Sequence, residues 1–185
     1  RIETGTFAVA AAITGGDILL AGADPETVEA IMEPISRAGA TIDNLPEGIR
    51  VRRNGAGILG VDVMTQPYPG FPTDMQAQIM ALMSISHGAA MITETIFENR
   101  FMHVPELGRM GANINGHGGS ALVRGVPKLK GAPVMANDLR APVSLVLAGL
   151  AAEGETRVKC VVHIERGYER REGKRGAGGG EVHRG

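Results

Sequence analysis

The chain has 185 residues, 43% of them apolar and 21% charged, with a net charge of −1. That composition supports a packed core in one domain-sized unit and gives no basic surface for nucleic acid or acidic membranes. Aromatic residues make up only 3%, with no Trp, so little is available to stack bases. No apolar run reaches the length of a membrane span. The lone cysteine, Cys160, excludes an internal disulfide and a cysteine-cluster metal site, and a cytoplasmic origin is the natural expectation.

In chain order, the opening "RIETGT" carries no Met and no basic-plus-apolar leader. It reads as an internal start, so a fragment of a longer protein is expected. "TGTFAVAAAITGGDILL" then predicts a helix, a glycine stop and an apolar strand. Asp24 and Pro25 supply an N-cap and first-turn proline for a second helix, in which Val28, Ile31, Met32 and Ile35 form one apolar stripe. Pro34 interrupts that helix, where it should cost about 3 kcal/mol or kink the chain. "RVRRNGAGILGVDVMTQPYPG" fits a hairpin with a Gly-rich turn, then a strand leading into a loop. "PTDMQAQIMALMSISHGAAMITETI" again runs helix, glycine, strand, with Met75, Ile79, Leu82 and Met83 at helical spacing. "MHVPELGRMGANIN" is a second surface helix, and "NINGHGGSALVRGVPKLKGAPV" a second hairpin with its turn near His117. "NDLRAPVSLVLAGLAAEGETRVKCVVHI" repeats helix, glycine, strand, with Leu139, Val143, Val146, Leu147 and Leu150 in helical register.

The segments fall into copies. Gly39, Gly111 and Gly176 each follow a basic last turn and close a surface helix. A second helix type, apolar or small nearly all round, precedes each and must be buried on every side. The plan is buried helix, strand, surface helix, strand or hairpin, three times over. The expected fold is an α/β (α+β) domain of pseudo-threefold repeats: three parallel interior helices surrounded by sheets and surface helices. The first copy lacks a leading strand and the third stops before its hairpin. Both gaps point to further segments elsewhere in a fuller protein.

Three parallel interior helices would gather their N-termini at one end. Each brings roughly +0.5 charge and unpaired N–H groups, together a platform for anions. The residues delivered there are Glu3 to Thr6, Thr73 with Asp74, and Asn137 to Arg140. On this pattern alone capping is the favoured account of Thr73, Asp74 and Asn137, and catalysis stays open beside it. Arg140 is a cation in a first turn, opposed by the dipole by about 0.3–1 kcal/mol; it either pairs with Asp138 or grips a phosphate or carboxylate. Arg166 follows a strand and precedes Gly167, a placement shared by binding residues and solvated loop arginines. His87, His103 and His117 lack metal-ligand spacing and read as structural or solvated. Cys160 sits in a strand pattern and reads as a small buried hydrophobe. The nine methionines read as core filling. Neither a Walker motif nor a GxGxxG fingerprint occurs.

Longer words then stand out. "RIETGTF", "PYPGFPTDMQAQ", "ITETIFENRFMHVPELGRMGANI", "DLRAPVSLVLAGLAAEGET" and "HIERGYER" resemble the C-terminal half of the UDP-N-acetylglucosamine 1-carboxyvinyltransferases, a branch of the enolpyruvyl transferase family. The resemblance runs from Arg1 to about Arg170. It implies an inside-out α/β barrel, with residues 1–185 as one lobe and its partner lobe absent. The activity implied is transfer of the enolpyruvyl group of phosphoenolpyruvate to the 3-hydroxyl of UDP-N-acetylglucosamine. Phosphate leaves through a tetrahedral intermediate. This is the first committed step of peptidoglycan synthesis, hence of cell-wall biogenesis, cell shape and division, in the cytoplasm.

The resemblance implies no cofactor and no metal, and small-molecule partners in place of nucleic acid or membrane. It makes Asp74 the general base and gives Asp138 a part in proton movement or in orienting Arg140. Arg140 and Arg166 would hold phosphoenolpyruvate. Ile96 and Arg100 would contact the sugar nucleotide, Glu98 and Asn99 would shape that loop, and Thr73 is a further candidate for substrate binding. The family's reactive Cys or Asp, its Lys-Asn pair and another phosphate-binding arginine belong to the other lobe, so this fragment alone is expected to be inactive. The tail 171–185 matches poorly, lacking the apolar spacing of a third surface helix, and Gly176 to Gly180 would fray one. Two alternatives stand beside this reading. One is a lobe like that of the sister 5-enolpyruvylshikimate-3-phosphate synthase, the other a non-catalytic anion or nucleotide-sugar module of the same fold.

Overall fold

The computed structural model describes residues 1–53, 57–96, 101–135, 141–152 and 157–159, with residues 135, 141, 142 and 157–159 by backbone alone. The first unit comprises helix α1 (Ile2–Thr14), strand β1 (Asp17–Ala21), helix α2 (Pro25–Arg37) and strands β2 (Thr41–Leu45) and β3 (Gly48–Arg52). Every residue of α1 from Gly5 to Ile13 is buried, as its Ala- and Val-rich sequence requires. Gly15 stops it in the left-handed conformation at φ 71° and donates its amide to the Ala11 carbonyl. In α2 the Asp24 carboxylate accepts the Glu26 amide at 3.0 Å, and the stripe Val28, Ile31, Met32 and Ile35 is buried. The other face keeps Glu26, Glu29 and Glu33 in solvent. The helix continues through Pro34 to Arg37, so the expected interruption does not end it. Pro34 lies one turn from the C-terminus, its ring is buried, and its carbonyl still accepts the Ala38 amide.

The second unit comprises β4 (Val63–Met64), a 3₁₀ turn (Thr73–Met75) entering α3 (Gln76–Met83), then β5 (Ala89–Thr93), α4 (Val104–Arg109), β6 (Asn113–His117) and β7 (Ser120–Arg124). From the third unit come β8 (Pro133–Met135), α5 (Ala141–Ala151) and β9 (Arg157–Lys159). The repeat is visible in the pairing. β1-β3-β2 and β5-β7-β6 are both antiparallel, in the same order, with five-residue registers. β4 adds to β5 in parallel, and β8 pairs with β9 in parallel. β1 and β5 begin at Asp17 and Ala89, β2 and β6 at Thr41 and Asn113, β3 and β7 at Gly48 and Ser120. Each counterpart lies 72 residues on, the offset of Gly39 and Gly111, which both carry positive φ (115° and 95°).

The hairpin of the first unit is not where a Gly-rich turn suggested. Its turn is Pro46-Glu47, fixed by the pairing of Leu45 with Gly48, and the segment after Arg53 leaves the hairpin for β4. Gly48 carries the reason: at φ 153°, a Cβ there would come within 2.2 Å of the Leu20 carbonyl oxygen, so only glycine lets β3 pass β1 at this point. The second hairpin turns where expected, at Gly118-Gly119.

The three buried helices form the centre. Gly5 and Thr6, near the start of α1, lie against Met75 and Gln78, at the start of α3. At the opposite end Ile13 and Thr14 of α1, Ile85 just beyond α3, and Leu150 and Ala151 of α5 line one cavity. Matching ends meet, so the helices run parallel. Met75, Ile79, Met80, Leu82 and Met83 are fully buried among them. The methionines divide: Met64, Met91 and Met102 are exposed at 50%, 38% and 49%, so core filling does not describe all nine. His103 is buried with Nε2 3.2 Å from Met80 Sδ, and His117 is exposed on its hairpin.

Candidate active site

The entry to α3 is built by the loop "PYPGFP". Gly70 donates its amide to the Pro67 carbonyl at 2.8 Å, and Gln66 donates to the Phe71 carbonyl at 2.9 Å. Phe71 is buried beneath the turn while Tyr68 stays 69% exposed. Arg1 ties this loop to the first unit. Its guanidinium donates to the carbonyls of Gly70 (3.2 Å) and Thr27 (3.3 Å) and lies 4.9 Å from the Tyr68 ring centroid.

Thr73 and Asp74 form the 3₁₀ turn that follows, and both are half-buried. The boundary residues of the turn and of α3, Pro72 and Met75, provide no side-chain cap. Thr73 does not spend its hydrogen on a cap either. Its hydroxyl donates to Glu94 Oε1 at 2.7 Å.

Glu94 is the residue the sequence reading passed over. It follows β5 on the inward side, continuing the alternation of Ala90 and Ile92, and is only 8% exposed. Its Oε1 accepts from the Thr73 hydroxyl and from Gln76 Nε2 at 3.1 Å. Its Oε2 accepts from the Thr65 hydroxyl at 2.7 Å and from the Ile96 amide at 3.1 Å. Thr65 in turn receives the Thr95 amide at 2.9 Å, and its carbonyl receives the Thr95 hydroxyl. The Glu94 amide itself donates to the Gly119 carbonyl at 2.8 Å. Burial pushes the Glu94 carboxyl upward, but the donors from Thr73, Thr65, Ile96 and Gln76 outweigh it and hold the group below the usual carboxylate range. Period-two alternation through "AAMITE" would have flagged this inward acid.

Two of the expected site residues, Thr73 and Ile96, are thus brought onto one carboxylate, with Asp74 beside them on the turn. The α1 side of the mouth carries Thr6, whose hydroxyl donates to the Ile2 carbonyl at 2.8 Å and accepts Gln78 Nε2 at 3.4 Å. Arg100, Asp138, Arg140 and Arg166 lie outside the described residues, as do Glu98, Asn99, Cys160 and the tail 171–185.

Parallel buried helices wrapped by sheets and surface helices define the enolpyruvyl transferase fold. The crystal structure of the enolpyruvyl transferase NikO from Streptomyces tendae aligns over 97% of this chain and 43% of its own, with a TM-score of 0.80 and 24% identity. EPSP synthase from Acinetobacter baumannii aligns over 84% of this chain and 38% of its own, with a TM-score of 0.63 and 21% identity. At these identities the likeness is one of fold. The family model for EPSP synthase (3-phosphoshikimate 1-carboxyvinyltransferase) matches residues 1–174, and the chain belongs to that family. Within it, the resemblance read from the motifs is borne out. The UDP-N-acetylglucosamine 1-carboxyvinyltransferases of Paramagnetospirillum magneticum and Rhodospirillum centenum are each 64% identical over 184 residues, covering all of this chain. The chain spans 43% of the length of either relative.

Proposed function

We propose that residues 1–185 form one lobe of an enzyme that moves the enolpyruvyl group of phosphoenolpyruvate to the 3-hydroxyl of UDP-N-acetylglucosamine. A second lobe would complete its cleft, and the tail 171–185 would be a divergent end. The observation that carries the reading is the carboxylate of Asp74 at the mouth of the buried helices, on a turn that shares Glu94 with Ile96. The 64% identity to proteins named for this reaction favours the UDP-sugar over shikimate 3-phosphate as acceptor.

In this mechanism Asp74 takes the proton of the sugar hydroxyl as its oxygen bonds to C2 of phosphoenolpyruvate. A proton delivered to C3 completes the tetrahedral adduct. Loss of a C3 proton with departure of phosphate then restores the double bond. Asp138 would share the proton movement or orient Arg140, and Arg140 with Arg166 would hold the carboxylate and phosphate in charge-assisted hydrogen bonds. Ile96 and Arg100 would meet the UDP-sugar, and Thr73 would bind beside Asp74. A base fixed on a helix-entry turn gains much of its effect from position. The reaction belongs to peptidoglycan synthesis in the cytoplasm, with the dependence of cell shape and division that this entails.

The test joins this chain to the portion of the Paramagnetospirillum relative that it does not span and measures phosphate release. Release requiring both phosphoenolpyruvate and UDP-N-acetylglucosamine is expected. Release with shikimate 3-phosphate instead would assign the sister reaction, and ligand binding without release would make the lobe a binding module.

A further inference from the structure

We propose that Glu94 is a positioning residue, one carboxylate that holds the Asp74 turn and the Ile96 segment in fixed relation. The proposal rests on the reading above, in which both segments face substrate. An inward position just past β5, in line with Ala90 and Ile92, asks for an apolar side chain. A buried carboxylate there carries a desolvation cost of several kcal/mol unless it is fully hydrogen-bonded. The structure meets that condition with donors from three separate places. Oε1 takes the helix mouth, through Thr73 and Gln76. Oε2 takes the Thr65 hydroxyl beyond β4 and the Ile96 amide beyond β5. Each oxygen serves a different wall, so neither wall can move without breaking a bond to charge. A glutamine holds this post less firmly, because neutral bonds replace charge-assisted ones and the Thr73 hydroxyl and Gln76 amide must reverse their roles to accept. The Ile96 amide can only donate, so one oxygen must stay on that side, and the new NH₂ group then faces the Thr73 hydroxyl and the Gln76 side chain.

Two measurements test this. In the joined two-lobe protein, Glu94→Gln is expected to lower kcat/KM for the UDP-sugar by roughly 10²-fold per folded molecule, the order of loss for a misplaced catalytic group. A role in stability alone would lower activity only in proportion to the folded fraction. Thr73→Val, which severs the same link from the other end, is expected to lower kcat likewise, and Thr73→Ser to restore it. The double variant Glu94→Gln with Thr73→Val should be no worse than the poorer single one, because both cut one connection. Should Glu94→Gln fail to fold, the Thr73 pair carries the test, and equal activity of Thr73→Val and Thr73→Ser overturns the proposal. The second measurement needs no activity: amide exchange on this chain. Exchange that quickens in Glu94→Gln at both Ile96 and residues 73–76, with β1 and β3 unchanged, upholds the coupling. Unchanged exchange at either segment, or unchanged kcat/KM, overturns it. If the wild-type joined protein releases no phosphate with any acceptor, the reaction is wrong, and the exchange data decide on Glu94 alone.

Discussion

At the residue scale the proposed chemistry turns on two carboxylates in different settings. Asp74 is half-buried on a turn, whereas Glu94 is enclosed and saturated with donors. The Glu94 carboxyl is held below its ordinary value, so the unfolded chain binds its proton more readily than the folded one. The stability it contributes is therefore full above the ordinary glutamate value and is lost as pH falls through the lower folded value. Thr65, Thr73, Gln76 and the Ile96 amide, which hold it, are uncharged and do not themselves titrate over this range. Denaturation of wild type and Glu94→Gln from pH 7 to pH 3 should show a stability gap that closes on the acid side. A gap unchanged down to pH 3 would contradict the assignment of an ionised, hydrogen-bonded Glu94.

At the element scale, much of the architecture was legible because local chemistry and burial agree. Asp24 and Pro25 start α2, and its Val28-Ile31-Met32-Ile35 stripe faces inward. The helices α1 and α3, small or apolar nearly all round, were expected to be interior, and the shared offset of 72 residues follows from one folding unit used twice. What escaped was set by long-range pairing. The Pro46-Glu47 turn is chosen by β1 and β3 fitting at Gly48, not by the richer glycine signal beyond Arg53. Glu94 was hidden for a similar reason: its donors Thr65, Thr73 and Gln76 come from 29, 21 and 18 residues away. The roles proposed for Asp74 and Ile96 rest on motif resemblance, since on the local pattern a cap explains Asp74 too. The helix contacts make a further prediction. A Cβ on Gly5 of α1 would lie 2.9 Å from Ile31 Cγ2 and 3.0 Å from Met75 Sδ, so Gly5→Ala must shift the Ile31 side chain and press on Met75, the residue next to Asp74. Overpacking of this kind costs about 1–3 kcal/mol. Urea unfolding should show a loss of that order, and an unchanged or raised midpoint would mean the α1 contact is looser than described.

At the scale of the whole molecule, the parallel trio concentrates three helix starts at one end and leaves their carboxyl ends around a cavity at the other. Helix starts gathered in this way each bring partial positive charge and amides without intrahelical partners, and the proposed binding of phosphate and carboxylate groups rests on that. The chain spans 43% of the length of its 64%-identical relatives, and the proposed turnover calls on groups from the remainder. The central claim is that Asp74, at this mouth, is the base. The most direct test is steady-state kinetics of Asp74→Ala in the joined two-lobe protein. A fall in kcat of roughly 10²–10⁴-fold, the usual worth of a general base, is predicted, with KM for UDP-N-acetylglucosamine held within a few-fold. A kcat close to wild type would contradict the account.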